Sequence, residues 1–126
     1  MKTILIVEDS KILAEIIASQ VEQQIDCETF IFENADGVMN HMQSKTTDLI
    51  ILDYKFNDTK LKYSNGLDFL IELRKGYSLP VIVFSGQNDK QRAIELIKSG
   101  ANDYISKDDD DFMDGLMKSI HGFLKN

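Results

Sequence analysis

A chain of 126 residues has room for one ordinary domain and too little for two. Its 14 basic and 21 acidic side chains leave a net charge of −7, which repels phosphate backbones and anionic lipid, so no direct nucleic-acid binding and no membrane docking are expected. The single cysteine, Cys27, excludes an internal disulfide and a cysteine metal cluster, and reads as a buried or half-buried free thiol.

The apolar stretch Ile4 to Val7 is shorter than the ~7–15 residues of a secretory h-region, and Glu8 and Asp9 follow it directly. No apolar run approaches the ~20 residues of a membrane span, so a cytoplasmic location is expected. Ile4 to Val7 instead predicts a first strand buried on both faces. Asp9 or Ser10 then caps a helix whose stripe is Leu13, Ile17 and Val21, widened by Ile16. Thr29 to Phe32 predicts the second strand, and Asn34 to Lys45 the second helix, with Val38, Met39 and Met42 apolar. The third strand runs from Asp48 to Asp53, an apolar run between two acids.

Tyr54 to Asn65 is polar and lysine-rich without a period, which predicts a loop. Gly66 to Lys75 predicts the third helix, closed by Gly76. The fourth strand is Pro80 to Phe84, with proline at its first residue. Asn88 or Asp89 caps a fourth helix carrying Ala93, Ile94 and Ile97, and Gly100 closes it. Asn102 to Ile105 predicts a short fifth strand. The acids Asp108 to Asp111 read as the N-terminus of a last helix, Phe112 to Leu124. That helix has a broad apolar stripe, from which Met113 and Met117 offer an exposed patch for a homodimer or an output partner. His41 and His121 lie on helices without partners and are expected to be exposed.

Strict alternation of five strands and five helices predicts an α/β chain, a three-layer doubly wound (βα)5 fold with a five-stranded parallel sheet. In such sheets ligands bind beyond the carboxyl ends of the strands. With strand order 2-1-3-4-5, the flavodoxin-like arrangement, the first and third strands are neighbours. Glu8, Asp9 and Asp53 then converge. Clustered carboxylates keep a proton or bind a cation. Oxygen-only ligands favour a hard ion, magnesium first and manganese as a substitute. A carboxylate beside such an ion can attack phosphorus, with Lys107 supplying positive charge and Ser85 a hydroxyl donor.

Glu8-Asp9, Asp53, Ser85-Gly86 and Tyr104-Ile105-Ser106-Lys107 together resemble the signature set of response-regulator receiver domains, the CheY-like family of two-component signalling. The likeness covers the whole chain, which reads as one receiver domain over residues 1–126. The resemblance implies Asp53 as phosphoacceptor, Asp9 as direct metal ligand with Glu8 assisting, and the Lys55 backbone carbonyl as a further ligand. It implies Ser85 and Lys107 as phosphoryl-binding groups and Tyr104 as an aromatic switch. A histidine kinase or histidine phosphotransfer protein would be the donor, with an output domain or partner protein controlled through the fourth helix, fifth strand and fifth helix. Such a domain is a signalling module, not an enzyme with turnover of its own. Ile12, off the core stripe and beside the acids, is a candidate kinase contact.

Two departures stand out. Where the family carries proline four residues after its phosphoacceptor this chain has Asn57, and the first glycine after Asp53 is Gly66, so the loop is several residues longer than usual and carries Lys55, Lys60 and Lys62. Asp108 follows Lys107 where the family has proline after a cis bond, so a trans bond or a strained exception is expected. The resemblance implies that Lys55 and Gln87 stand where side chains border the phosphoryl group. Other readings fare worse. A flavin carrier would not place carboxylates in its phosphate loop, no G-x-G-x-x-G is present, and an aspartyl phosphatase would need an acid where Lys55 stands. The alternative with most support is a receiver-like interaction module acting without phosphorylation.

Overall fold

A computed structural model, which describes residues 1–56, 60–86 and 90–124, shows five strands and five helices in alternation. The strands are β1 (Lys2–Val7), β2 (Cys27–Phe32), β3 (Leu49–Asp53), β4 (Val81–Ser85) and β5 (Asp103–Ser106). The helices are α1 (Lys11–Gln24), α2 (Val38–Ser44), α3 (Gly66–Leu73), α4 (Lys90–Lys98) and α5 (Phe112–Phe123). All strand pairs are parallel, in the order β2-β1-β3-β4-β5. This is the doubly wound flavodoxin-like arrangement expected of the sequence.

The period of two along each strand divides the apolar residues between two faces. Leu5, Val7, Ile50, Leu52, Val81 and Val83 pack with α2, α3 and α4, whereas Ile4, Ile6, Leu49, Ile51, Ile82 and Phe84 pack with α1 and α5. Continuous apolar runs are required here because both faces are covered.

Several details depart from the periodicity. In α1 the buried stripe is Ala14, Ile17, Ala18 and Val21; two alanines let the helix lie close to the sheet, and Ile16 faces solvent instead of widening the stripe. In α4 the sole fully covered residue is Leu96, while Ile94 and Ile97 are about half exposed. This helix meets the sheet near its β5 edge, so only one row of side chains is covered. In α5, Met117 is buried and Met113 packs against the core, so these two methionines do not form the exposed patch expected of them; the exposed apolar residue on this helix is Phe123.

His41 is half-buried, not exposed. Its ring packs against Phe30 and Phe32, with centroids 4.7 and 5.4 Å away, and its buried Nε2 has no partner among the described residues. His121 is exposed and shares a 3.0 Å hydrogen bond with Gln24. Cys27 is half-buried, as expected, and burial pushes its thiol up from the usual value.

The helix ends follow local chemistry. Ser10 caps α1, its Oγ accepting the Leu13 N–H, so of the two candidates the hydroxyl does the capping. Asn65 caps α3 by accepting the Asp68 N–H. Asp111 precedes α5 without a side-chain cap bond, because its backbone (φ −99, ψ 26) is not in the extended region from which a cap side chain turns back. The expected caps Asn88 and Asp89 lie outside the described residues, as do Asn57 and Gln87. Helix α3 ends at Leu73, three residues before Gly76. Gly100 does close α4: it adopts φ +114, and the Gly100 and Ala101 amides donate to Ile97 and Leu96.

A Cβ at Gly100 would also stand 2.8 Å from Arg74 Cγ and Nε. The Arg74 side chain lies there because its Nε and Nη2 donate to the Gly100 carbonyl, at 3.0 and 2.8 Å. Gly100→Ala is therefore expected to cost roughly 1–3 kcal/mol, from the left-handed backbone and the displaced guanidinium together. A urea unfolding midpoint unchanged from the parent would contradict this.

Candidate functional site

The residues that follow each strand meet at the carboxyl edge of the sheet. Strand parity places Glu8, two beyond Ile6, and Asp53, two beyond Ile51, on the face covered by α1 and α5. Lys107, two beyond Ile105, falls on the same face. Ser85 and Tyr104 fall on the other. Ser85 ends β4 one residue past Phe84, the register partner of Asp53, and its carbonyl accepts the Lys107 N–H at 2.7 Å.

Oxygens of Glu8, Asp9 and Asp53 lie within 4.8 Å of one another. Glu8 and Asp53 are almost fully buried, at 2% and 3% exposed. Lys107 reaches in between them, its Nζ 2.6 Å from Glu8 Oε1 and 3.3 Å from Asp53 Oδ1. The ammonium also stands 4.7 Å from the centroid of the Phe84 ring. The second Glu8 oxygen accepts the Ser10 N–H at 2.8 Å, which ties this carboxylate to the start of α1. The Lys55 N–H is hydrogen-bonded to the Asp53 carboxylate.

Burial sets the charge balance. It pushes the Asp53 carboxyl up from 3.8 to about 6, with the neighbouring Glu8 charge adding to it and Lys107 opposing it. Glu8 is raised chiefly by burial, then by its hydrogen bond with Asp9. For Lys107 burial pulls downward, but the bond to Glu8 and the charges of Asp53 and Glu8 outweigh it, and the net shift is upward. Two like charges this close repel by about 3–4 kcal/mol at an effective dielectric near 20. Three carboxylates and one ammonium carry a formal −3 + 1 = −2. An oxygen-only donor set with that surplus fits a hard divalent cation. A cleft of about 470 Å³, lined by Glu8, Asp9, Lys11, Glu15, Ile31 and Glu33, opens beside it.

Among the candidates named from sequence, Glu8, Asp9, Asp53 and Lys107 are therefore brought into one cluster. Tyr104 is not in it. It lies in β5 opposite Val83, half-buried and packed against the α2–α3–α4 side of the core. Lys55 is exposed, and its backbone pairs with Asn65 in an antiparallel bridge. The Lys107–Asp108 peptide is trans, since no cis bond occurs among the described residues, and the lysine reaches the carboxylates in that geometry.

Three contributors were not apparent from motif reading. The Phe84 ring lies beside the Lys107 ammonium. The Tyr54 ring carries the Arg92 guanidinium of α4, with Cζ 4.0 Å from its centroid. Gly66 matters for its missing side chain: a Cβ there would stand 2.8 Å from the Asp53 carbonyl oxygen and 3.0 Å from Tyr54 Cα. Its N–H donates to the Tyr54 carbonyl at 2.6 Å, so α3 begins in contact with the end of β3. The thirteen-residue spacing from Asp53 hid this role.

Two outcomes follow. Asp53 titrates near 6 when folded and near 3.8 when unfolded, so the stability associated with its proton is present below about pH 4 and lost as pH rises through about 6. In EDTA at about pH 8, Asp53→Asn should be more stable than the parent by roughly 1–3 kcal/mol, with the gain vanishing near pH 4. Urea titrations at both pH values check the sign. Gly66→Ala should lose about 1–3 kcal/mol through displacement of the end of β3, read as a lower thermal midpoint.

The family model described as the response regulator receiver domain matches residues 4–121. The KDP operon transcriptional regulatory protein KdpE of Escherichia coli is 30% identical over 107 residues, covering 85% of this chain and 45% of that protein. The response regulator ArlR of Staphylococcus saprophyticus is 30% identical over 99% of this chain and 53% of its own length. This chain thus spans about half the length of these relatives. The receiver domain of NtrX from Brucella abortus superposes with a TM-score of 0.81 at 26% identity, over 98% of each chain. With the sheet order, the carboxyl-edge cluster and the family match in agreement, the chain belongs to the response regulator receiver domains of two-component systems.

Proposed function

We propose that this receiver domain accepts a phosphoryl group on Asp53 in the presence of magnesium, or manganese in its place. The observation that carries the reading is the buried Asp53 carboxylate standing among Glu8, Asp9 and the Lys107 ammonium. Glu8, Asp9 and Asp53 would hold the ion with the Lys55 carbonyl, and the bound ion would offset charge on the transferring phosphoryl oxygens.

An Asp53 oxygen attacks phosphorus, the bond from phosphorus to the donor breaks, and the leaving group takes its electron pair. With a phosphohistidine donor this is a P–N bond, and the departing imidazole nitrogen recovers a proton. The product is an acyl phosphate on Asp53. Lys107, already in the cluster, transfers its ammonium contact from the carboxylates to a phosphoryl oxygen. Ser85 donates its hydroxyl to another. Closure on the new charge biases the conformations available to α4, β5 and α5, with Tyr104 as the aromatic group that follows Ser85 inward.

A histidine kinase or phosphotransfer protein is the proposed donor, and an output domain or partner protein the proposed receiver of the signal. The role is that of a signalling module, not an enzyme in the ordinary sense. Among the described residues no helix is long and apolar enough to cross a membrane.

Incubation with acetyl phosphate and magnesium should add one phosphoryl group, detected by mass spectrometry. Asp53→Asn and EDTA should each reduce labelling to background, and Lys107→Ala should slow it by about 10²-fold or more. Undiminished labelling of Asp53→Asn would remove the assignment.

A further inference from the structure

The long segment between Asp53 and α3 is anchored by a side chain from elsewhere in the chain. Leaving β3, the backbone passes Phe56 and returns through Tyr63 to Gly66; both aromatic residues are buried, and the Tyr63 ring meets Phe69 edge-on at 5.3 Å. Asp36, between β2 and α2, accepts the Lys62 N–H through Oδ2 at 2.9 Å and the Tyr63 N–H through Oδ1 at 3.2 Å. Asp36 is itself fixed, its N–H donating to Asn34 Oδ1 at 3.0 Å. Where the two limbs meet, Lys55 bridges Asn65, and the Gly66 N–H bonds the Tyr54 carbonyl. The peptide at this junction is the one whose N–H touches the Asp53 carboxylate.

We propose that Asp36 is a positioning residue for the divalent-ion site, acting through the returning limb to keep the Lys55–Asn65 bridge closed and the Lys55 peptide beside Asp53. The inference rests on the ion-dependent reading given above. A longer loop has more conformational freedom to lose when it is ordered. Left free, it would present the Lys55 peptide correctly for only a fraction of the time, and ion affinity falls in proportion to that fraction. A carboxylate accepting two backbone N–H groups is well suited to hold it, because charge-assisted bonds are stronger than neutral ones. The effect is on readiness of the site: Asp36 belongs to the loop anchor and not to the carboxylate cluster of Glu8, Asp9 and Asp53.

Equilibrium dialysis with magnesium tests this on the full chain. The parent should bind the ion, and Asp36→Ala should bind it about tenfold more weakly. Asp36→Asn, which retains one acceptor oxygen, should fall between. Asp48→Ala is the control. Asp48 accepts the Thr3 N–H at 2.8 Å at the opposite edge of the sheet, so its loss removes a bond of the same kind far from the site. That variant should unfold more easily yet bind magnesium as the parent does. Reciprocity further requires magnesium to slow hydrogen exchange at the Lys62 and Tyr63 amides of the parent, a measurement that carries the test should Asp36→Ala not fold. Equal affinity in parent and Asp36 variants, equal weakening in Asp48→Ala, or amide exchange indifferent to magnesium would each overturn the proposal while leaving the ion-binding reading intact. A parent that binds no magnesium would overturn both.

Discussion

Two carboxylates almost wholly removed from water, with a third at their side and one ammonium between them, repel one another, and the fold has to hold them together against that repulsion. Buried like charges separate wherever the backbone permits. Here it does not. Glu8 is held by the Ser10 amide at the start of α1, Asp53 is the last residue of a strand flanked on both sides, and Lys107 leaves β5 with its own amide on Ser85. The cluster stays together because three strands and one helix terminus place its members independently of their repulsion.

The longer segment after Asp53 shows how the fold absorbs an insertion next to such a site. The chain departs at Tyr54 and returns to the same place, where the Gly66 amide bonds the Tyr54 carbonyl, so α3 begins as though the extra residues were absent. Only glycine allows that approach, given the 2.8 Å separation a Cβ would have from the Asp53 carbonyl. Phe56 and Tyr63, on its two limbs, are buried in the core. With the Lys107–Asp108 bond trans, the long, flexible lysine stem still reaches both Glu8 and Asp53.

The two faces of the sheet are held unequally. On one side α1 and α5 bury apolar stripes against the sheet. On the other, α4 is anchored by Leu96, by the glycine turn over Arg74, and by Arg92 on the Tyr54 ring. Tyr54 is the residue next to Asp53, so the lightly covered helix touches the residue adjoining the acidic cluster. A segment with few buried contacts is the one whose position a change of charge nearby can alter at least cost.

Fold class and the placing of Glu8, Asp9, Asp53, Ser85 and Lys107 at the carboxyl edge of the sheet could be read from sequence, because buried parallel strands write themselves as continuous apolar runs and the residues of that edge follow each run directly. Helix faces were less legible. Ile16, Ile94 and Ile97 match a helical period yet face solvent, since periodicity reports which residues share a side but not how wide a strip the sheet covers. His41 was misread for a related reason: its neighbours Phe30 and Phe32 are remote in sequence. Local pattern thus determined that acids would gather at one edge of a parallel sheet. Only the tertiary structure decided that Lys107 would stand between Glu8 and Asp53, that Gly66 would lie against Asp53, and that Asp36 would accept the Lys62 and Tyr63 amides, because each of these is a meeting between segments whose separation no local signal encodes.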